Sequence, residues 1–257
     1  MTRLARPALS KLLTLLLIAP MTFIIVVVNF WIYRARAEYI ERFPDIAAIK
    51  PPTISRAISD PLIGKPFAFW ITLSAVMLIP AFIPVCRLYW RSGGRLHEVD
   101  PAAGAAIRRG TVLLAISLAA TAVGMVMLSH YTFPNHHREH MLGSYTFFIG
   151  QAVVMALIAW MCFRLARHPL PPGEVTSRKV IDPRVSRLRA PLAAASLLVA
   201  AAYLGLFLLK GVDLPAGNRL VYRAYVLLEP ALISLCLAVF ATYYLDVIRA
   251  LGRPRKA

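Results

Sequence analysis

Apolar residues in this chain come in long runs, separated by short stretches rich in Arg, Pro and Asp. A helix needs about 20 mostly apolar residues to cross the hydrocarbon layer of a bilayer. Six runs reach about that length: Leu12–Tyr33, Pro66–Cys86, Thr111–His130, Met141–Phe163, Ala190–Leu209 and about Val221–Leu245. Lys and Arg fall only near their ends, Arg223 at the start of the sixth included. The pattern predicts an all-α polytopic membrane protein with six transmembrane helices in one bundle. No repeat and no soluble second domain interrupts it, so residues 1–257 read as one membrane domain. The first run exceeds a signal-peptide core of roughly 7–15 residues, and no small-x-small cleavage site follows, so it reads as a retained anchor.

Composition supports lipid as the solvent. Hydrophobic residues make up 59% of the 257 residues, and mean hydropathy is +0.65, too apolar for an ordinary soluble domain. Lys and Arg then orient the spans, because they accumulate in cytoplasmic loops. The N-terminal segment, the connections after the second and fourth spans and the C-terminal tail hold 19 of the 29 Lys and Arg residues. Among them are Arg87, Arg91, Arg95, Arg108, Arg109, Arg164, Arg167, Arg184, Arg187 and Arg189. Both termini are therefore expected in the cytoplasm. The formal charge of +17 reads as a cytoplasmic basic collar for anionic lipid headgroups, not as a nucleic-acid surface, since no aromatic-interleaved basic patch accompanies it. Cys86, Cys162 and Cys236 all lie inside spans, which implies neither an extracytoplasmic disulfide framework nor a Cys-based zinc site. Abundant Arg and Ala point to a bacterial source, hence the inner membrane.

One outer connection is long, about Arg34–Lys65, and long ordered loops tend to be functional. Its "IKPPTISRAISDP" places adjacent prolines where a helix cannot continue, which predicts an extended path, and Ser59-Asp60-Pro61 reads as a turn. The connection "RHPLPPGEVTSRKVIDPRVSRLR" reads as extended and exposed, and the tail "LGRPRKA" as too short to fold.

Polar groups at membrane depth are costly, so they mark candidate sites. Glu229 lies about two turns into the sixth span with Pro230 after it, and Arg223 is placed to pair with it if the helix bends. His130, His136, His137 and His140 crowd the second outer connection. His136 and His140 have i,i+4 spacing, yet without a Cys or an H-E-x-x-H motif the expectation is no metal and no cofactor. His140 is expected to cap the fourth span facing the bundle, with Ser144 on its face. Gly143 and Gly150 permit close helix contact, and Asn29, Ser74 and Gln151 are candidates for interhelical hydrogen bonds. His140 as a base, oriented by Glu229 or Asp60, with Ser55 or Ser144 as nucleophile, would make a hydrolase-like set. No G-x-S-x-G elbow selects between the serines.

At these residues the chain resembles the six-span Frag/DRAM/Sfk superfamily, which includes the damage-regulated autophagy modulators and the Golgi factor for lipid remodelling of GPI anchors. The likeness rests on Pro52-Thr53-Ile54-Ser55 in the long outer connection, on His140, Gly143, Tyr145, Phe147 and Phe148 opening the fourth span, and on Glu229. Arg56-Ala57-Ile58 and Pro230 depart from the family pattern. The resemblance implies a lid segment whose Ser55 and Asp60 face His140 and Glu229. It further implies lipid handling, remodelling or regulation at the non-cytoplasmic leaflet. The leading expectation is therefore a lipid-binding or lipid-remodelling accessory protein, with Pro52, Ser55, Asp60, His140, Ser144, Arg223 and Glu229 as ligand-binding residues. An acyl hydrolase or transferase using His140 is the alternative. A small transporter comes third, because charges seldom interrupt the middle of a span.

Overall fold

The structure is a computed structural model that describes residues 5–167, 181–210, 212 and 218–246, with side chains from residue 18 onward. Residues 168–180 of the proline-rich connection after the fourth span, with Arg178 and Lys179, and the C-terminal tail with its basic residues lie outside the described residues. All elements described are helices, as expected for a chain that must satisfy its backbone without water. They are α1 (Ala5–Arg42), α2 (Pro44–Ile49), α3 (Ile54–Ala57), α4 (Pro61–Val99), α5 (Pro101–His130), α6 (His137–Arg167), α7 (Pro183–Leu209) and α8 (Asn218–Ala241). Among the described residues, six helices are long and apolar enough to cross a membrane. Each begins before its apolar run, and α1, α4 and α6 also continue past it, because the flanking turns extend the helix.

The six long helices pack in chain order, α1 on α4, α4 on α5, α5 on α6, α6 on α7 and α7 on α8, and α8 closes the ring on α1. Large apolar side chains such as Phe69, Ile83, Ile116, Leu198 and Leu227 stand exposed on its outside, where lipid tails replace water. The ring is uneven. Only 17% of the most apolar stretch of α7 is buried, against 50% for the last span, so the α7 flank is thin. Prolines 66, 80, 84, 191 and 230 lie inside these helices without ending them, as neighbouring helices allow in a membrane bundle.

The end of the bundle where α1 begins and α8 ends is locked by a buried charge. Arg189 is fully buried, its guanidinium donating to the Asp246 carboxylate and, at 2.6 Å, to the Thr242 hydroxyl. Its plane lies over the Tyr243 ring, 3.8 Å from the centroid. Tyr243 in turn bonds Tyr89, whose hydroxyl is 3.1 Å from Cys162 Sγ. Arg189 thus leaves the expected exposed collar: it lies two turns into α7, where the helix has already entered the core.

At the opposite end the long connection is folded rather than extended. Two short helices, α2 and α3, flank Lys50–Thr53, so only the prolines and their neighbours run extended. The predicted turn at Ser59–Pro61 is present. Asp60 caps α4 by accepting from the Leu62 N–H at 2.8 Å, with Pro61 at the first helical position.

Candidate functional site

The segment Pro51–Ala57 forms a lid, and its polar groups explain why it stays down. A chain with two prolines in succession has fewer backbone donors and cannot continue a helix, so its carbonyls need partners from elsewhere. The Tyr222 hydroxyl donates to the Pro51 carbonyl at 3.1 Å, and Arg36 Nε donates to the Pro52 carbonyl at 3.1 Å. Thr53 then caps α3, its hydroxyl accepting from the Arg56 N–H at 3.1 Å. Arg56 Nε donates to the Tyr39 hydroxyl at 3.1 Å. The first α3 residue, Ile54, donates its N–H to Glu229 Oε2 at 2.8 Å. Side chains from α1 and α8 therefore hold one lid from two sides.

Glu229 is buried, and its reach to Ile54 spans 175 residues of sequence. The ion pair expected with Arg223 is not formed. Arg223 is exposed, because six residues of helix turn it roughly 240° away from Glu229. The cations whose charge reaches Glu229 are instead Arg36 and Lys210. Lys210, just past the end of α7, lies 4.3 Å from the Phe207 ring centroid and 4.2 Å from that of Tyr225. Burial there lowers its pKa from the ordinary lysine value.

His140 completes the clasp from α6. Its Nδ1 lies 2.6 Å from the Tyr131 carbonyl oxygen and its Nε2 lies 3.0 Å from Ser55 Oγ. A carbonyl can only accept, so Nδ1 carries the proton; in the neutral ring Nε2 is then bare and accepts from the serine hydroxyl. The ring also lies against Phe133, centroids 4.5 Å apart. Gly143 makes this possible: a Cβ there would meet Leu128 N and Met127 Cβ at 2.7 Å. Only glycine lets α6 approach α5 closely enough to bring His140 to the α5 C-terminal turn.

Beneath the lid is a cavity of about 1310 Å³, larger than the 300–1,000 Å³ typical of small-molecule pockets. Ser55, Ser59, His140, Tyr222 and Glu229 line its lid end, with Lys50, Arg56 and Lys210 as cations. Below them the wall is apolar, from Phe148, Ala152 and Ala156 of α6 to Leu197, Ala200 and Leu204 of α7. From His140 to Ala156 the slot runs roughly 24 Å along α6 at 1.5 Å per residue, longer than one leaflet, which is about half of a 30 Å hydrocarbon core. Tyr145, Ile149 and Leu204 line it yet are exposed on the outside of the bundle, so the slot opens sideways.

Of the residues singled out from the sequence, Ser55, Asp60, His140, Ser144 and Glu229 line this one cavity. Pro52 is buried beside it and holds the lid through its carbonyl. Asp60 does not orient His140. It stands at the rim, 3.2 Å from Arg42, and caps α4. Glu229 does not orient His140 either, since the partner of Nδ1 is a backbone carbonyl. The other histidines stand apart: His136 packs on Tyr131, His137 on Phe133, and His130 Nε2 bonds Thr72 at 2.8 Å. Asn29 does join two helices, accepting from Ser234 of α8 at 2.6 Å, whereas Ser74 bonds back within its own helix. Arg36, Tyr39, Tyr222 and the Tyr131 carbonyl escaped the sequence reading. The two tyrosines and Arg36 sit in ordinary interfacial positions, and a carbonyl leaves no signature in residue type.

A family model described as the Frag1/DRAM/Sfk1/Cwh43P N-terminal domain matches residues 8–249. No curated protein and no solved structure matches the chain at a significant level. The match covers nearly all of the sequence, including the lid, the His140 turn and Glu229. The chain therefore belongs to the Frag1/DRAM/Sfk1 family of membrane proteins.

Proposed function

We propose that the protein binds a single membrane lipid in the lidded slot and handles or remodels it at the non-cytoplasmic leaflet. The slot carries the reading. It is long, apolar and open towards the bilayer, and it ends under a polar lid where a headgroup would sit. Lys50, Arg56 and Lys210 at that end favour an anionic headgroup, by charge attraction in a region of reduced dielectric. Glu229 Oε2 is engaged by the Ile54 N–H of the lid.

The orientation rests on the Lys and Arg asymmetry, which puts the lid outside and the Arg-rich end in the cytoplasm. At that end Arg108, Arg164 and Arg167 lie over Trp90, Trp160 and Phe163. Such aromatic-backed cations suit the headgroup layer of an anionic leaflet. The Arg- and Ala-rich composition fits a bacterial inner membrane.

The test is occupancy. Protein extracted in mild detergent and examined by native mass spectrometry should carry one phospholipid. Ala152→Trp and Ala200→Trp, which fill the slot from α6 and α7, should remove that lipid while the protein stays monodisperse. Phospholipid bound equally by both variants, or no retained lipid in the parent protein, would show that the slot is not the binding site.

A further inference from the structure

We infer that Ser55 and His140 form a nucleophile–base pair that transfers an acyl chain from a glycerophospholipid held in the slot. This inference rests on the lipid-binding reading above and adds a reaction to it. The observation that carries it is the orientation of the imidazole. Nδ1–H donates to the Tyr131 carbonyl oxygen, which points the bare Nε2 at Ser55 Oγ 3.0 Å away. A nucleophile hydrogen-bonded to a base that a third group orients is the arrangement required for activating a hydroxyl. Here the third group is a carbonyl, so the set is a dyad positioned by the backbone.

Two further features distinguish this pair from an ordinary helix-joining bond. Ser55 is not the sole fastener of the lid, since Tyr222, Arg36, Arg56 and Glu229 also hold it. The pair also sits where an ester would lie. Ser55 and His140 line the same cavity as Lys50, Arg56 and Lys210 and the apolar wall of α6 and α7, so a lipid with its phosphate at these cations and its chain along that wall would bring its ester linkage to the pair. Ser144 lines the same cavity, but Nε2 addresses Ser55.

The step balances without an oxidant or a metal-bound reagent. Ser55 Oγ forms a bond to the acyl carbonyl carbon while its proton passes to His140 Nε2. The tetrahedral centre collapses, the bond from that carbon to the glycerol oxygen breaks, and the proton moves from Nε2 to the departing oxygen. A lysolipid leaves, and the acyl group remains as an ester on Ser55. A second hydroxyl, from water or a lipid alcohol, gives its proton to His140 and takes the acyl group, after which the proton returns to Ser55 Oγ.

The test uses the full chain in nanodiscs of phosphatidylglycerol and phosphatidylethanolamine with labelled acyl chains, in parallel with a fluorophosphonate probe. The expected result is a phosphonyl adduct on the Ser55 peptide and time-dependent formation of lysolipid. Ser55→Ala should abolish both, and His140→Gln should slow both by about 10²- to 10⁴-fold, the usual worth of a positioned general base. Retained lipid and unchanged lid protection in Ser55→Ala would show that the loss is chemical and not a collapse of the site. If His140→Gln fails to fold, the Ser55→Ala comparison alone decides. A parent protein that keeps its lipid but forms neither adduct nor lysolipid overturns acyl transfer and leaves lipid binding standing. A parent protein that retains no lipid and forms neither product overturns both. An adduct that forms equally fast in His140→Gln removes His140 as the base and overturns the pair.

Discussion

Replacing Glu229 with leucine should release the lid. The carboxylate accepts the Ile54 N–H at 2.8 Å in a buried position. A hydrogen bond to a charged group contributes about 1.5–3 kcal/mol, and a neutral one about 0.5–1.5 kcal/mol. The Glu229→Leu change would remove the acceptor and leave the Ile54 donor to face an apolar wall. At about 1.4 kcal/mol per factor of ten, the local opening of the lid should become roughly 10- to 150-fold more frequent. Glu229→Gln keeps an amide oxygen in the same place and should lose only part of this. Hydrogen–deuterium exchange of the peptide covering Lys50–Ile58, in nanodiscs, reads the opening directly. The parent, glutamine and leucine forms should exchange in rising order at that peptide, while α4 and α5 remain unchanged. Equal protection of the Ile54 amide in the parent and leucine forms would refute the clasp, and uniform loss across the bundle would mean that Glu229 supports the whole fold instead.

Two other expectations follow from the two ends of the bundle. Asp246→Ala should destabilise the protein by about 3–5 kcal/mol, since it strands the buried Arg189 charge. The double change Arg189→Met with Asp246→Leu should recover most of that loss in a denaturant-unfolding series, and a double variant no better than the single one would mean that packing around Tyr243 matters more than charge. For orientation, Asp45→Cys and Asn135→Cys should react with an impermeant maleimide in intact cells and Arg184→Cys should not; labelling of Arg184→Cys from outside would invert the topology.

The six spans were legible along the chain because lipid imposes a one-dimensional rule. About 20 apolar residues without charge make a spanning helix whatever surrounds them. Asp60-Pro61 was equally readable as a stop and start, because a cap and a first-turn proline are local chemistry. Glu229, His140 and the Pro52–Ser55 segment could be marked as costly, and they do meet in space. Their partners could not be read. That Arg223 and Glu229 stand on different faces follows from their six-residue spacing on α8, but that the Glu229 face turns to the lid depends on the rotation of α8 against α1 and α7, a helix phase that no nearby residue encodes. His140 finds its orienting group in a backbone carbonyl, so residue type carries no trace of it. Arg189 shows the same limit from the other side. Among many basic residues near a span boundary it reads as one more interfacial cation, until Asp246 and Tyr243 close around it. Hydropathy sums over a window and so reports where a helix crosses lipid, whereas the direction of each polar side chain is settled by ring closure, when α8 packs on α1 and only inward-facing groups must find partners.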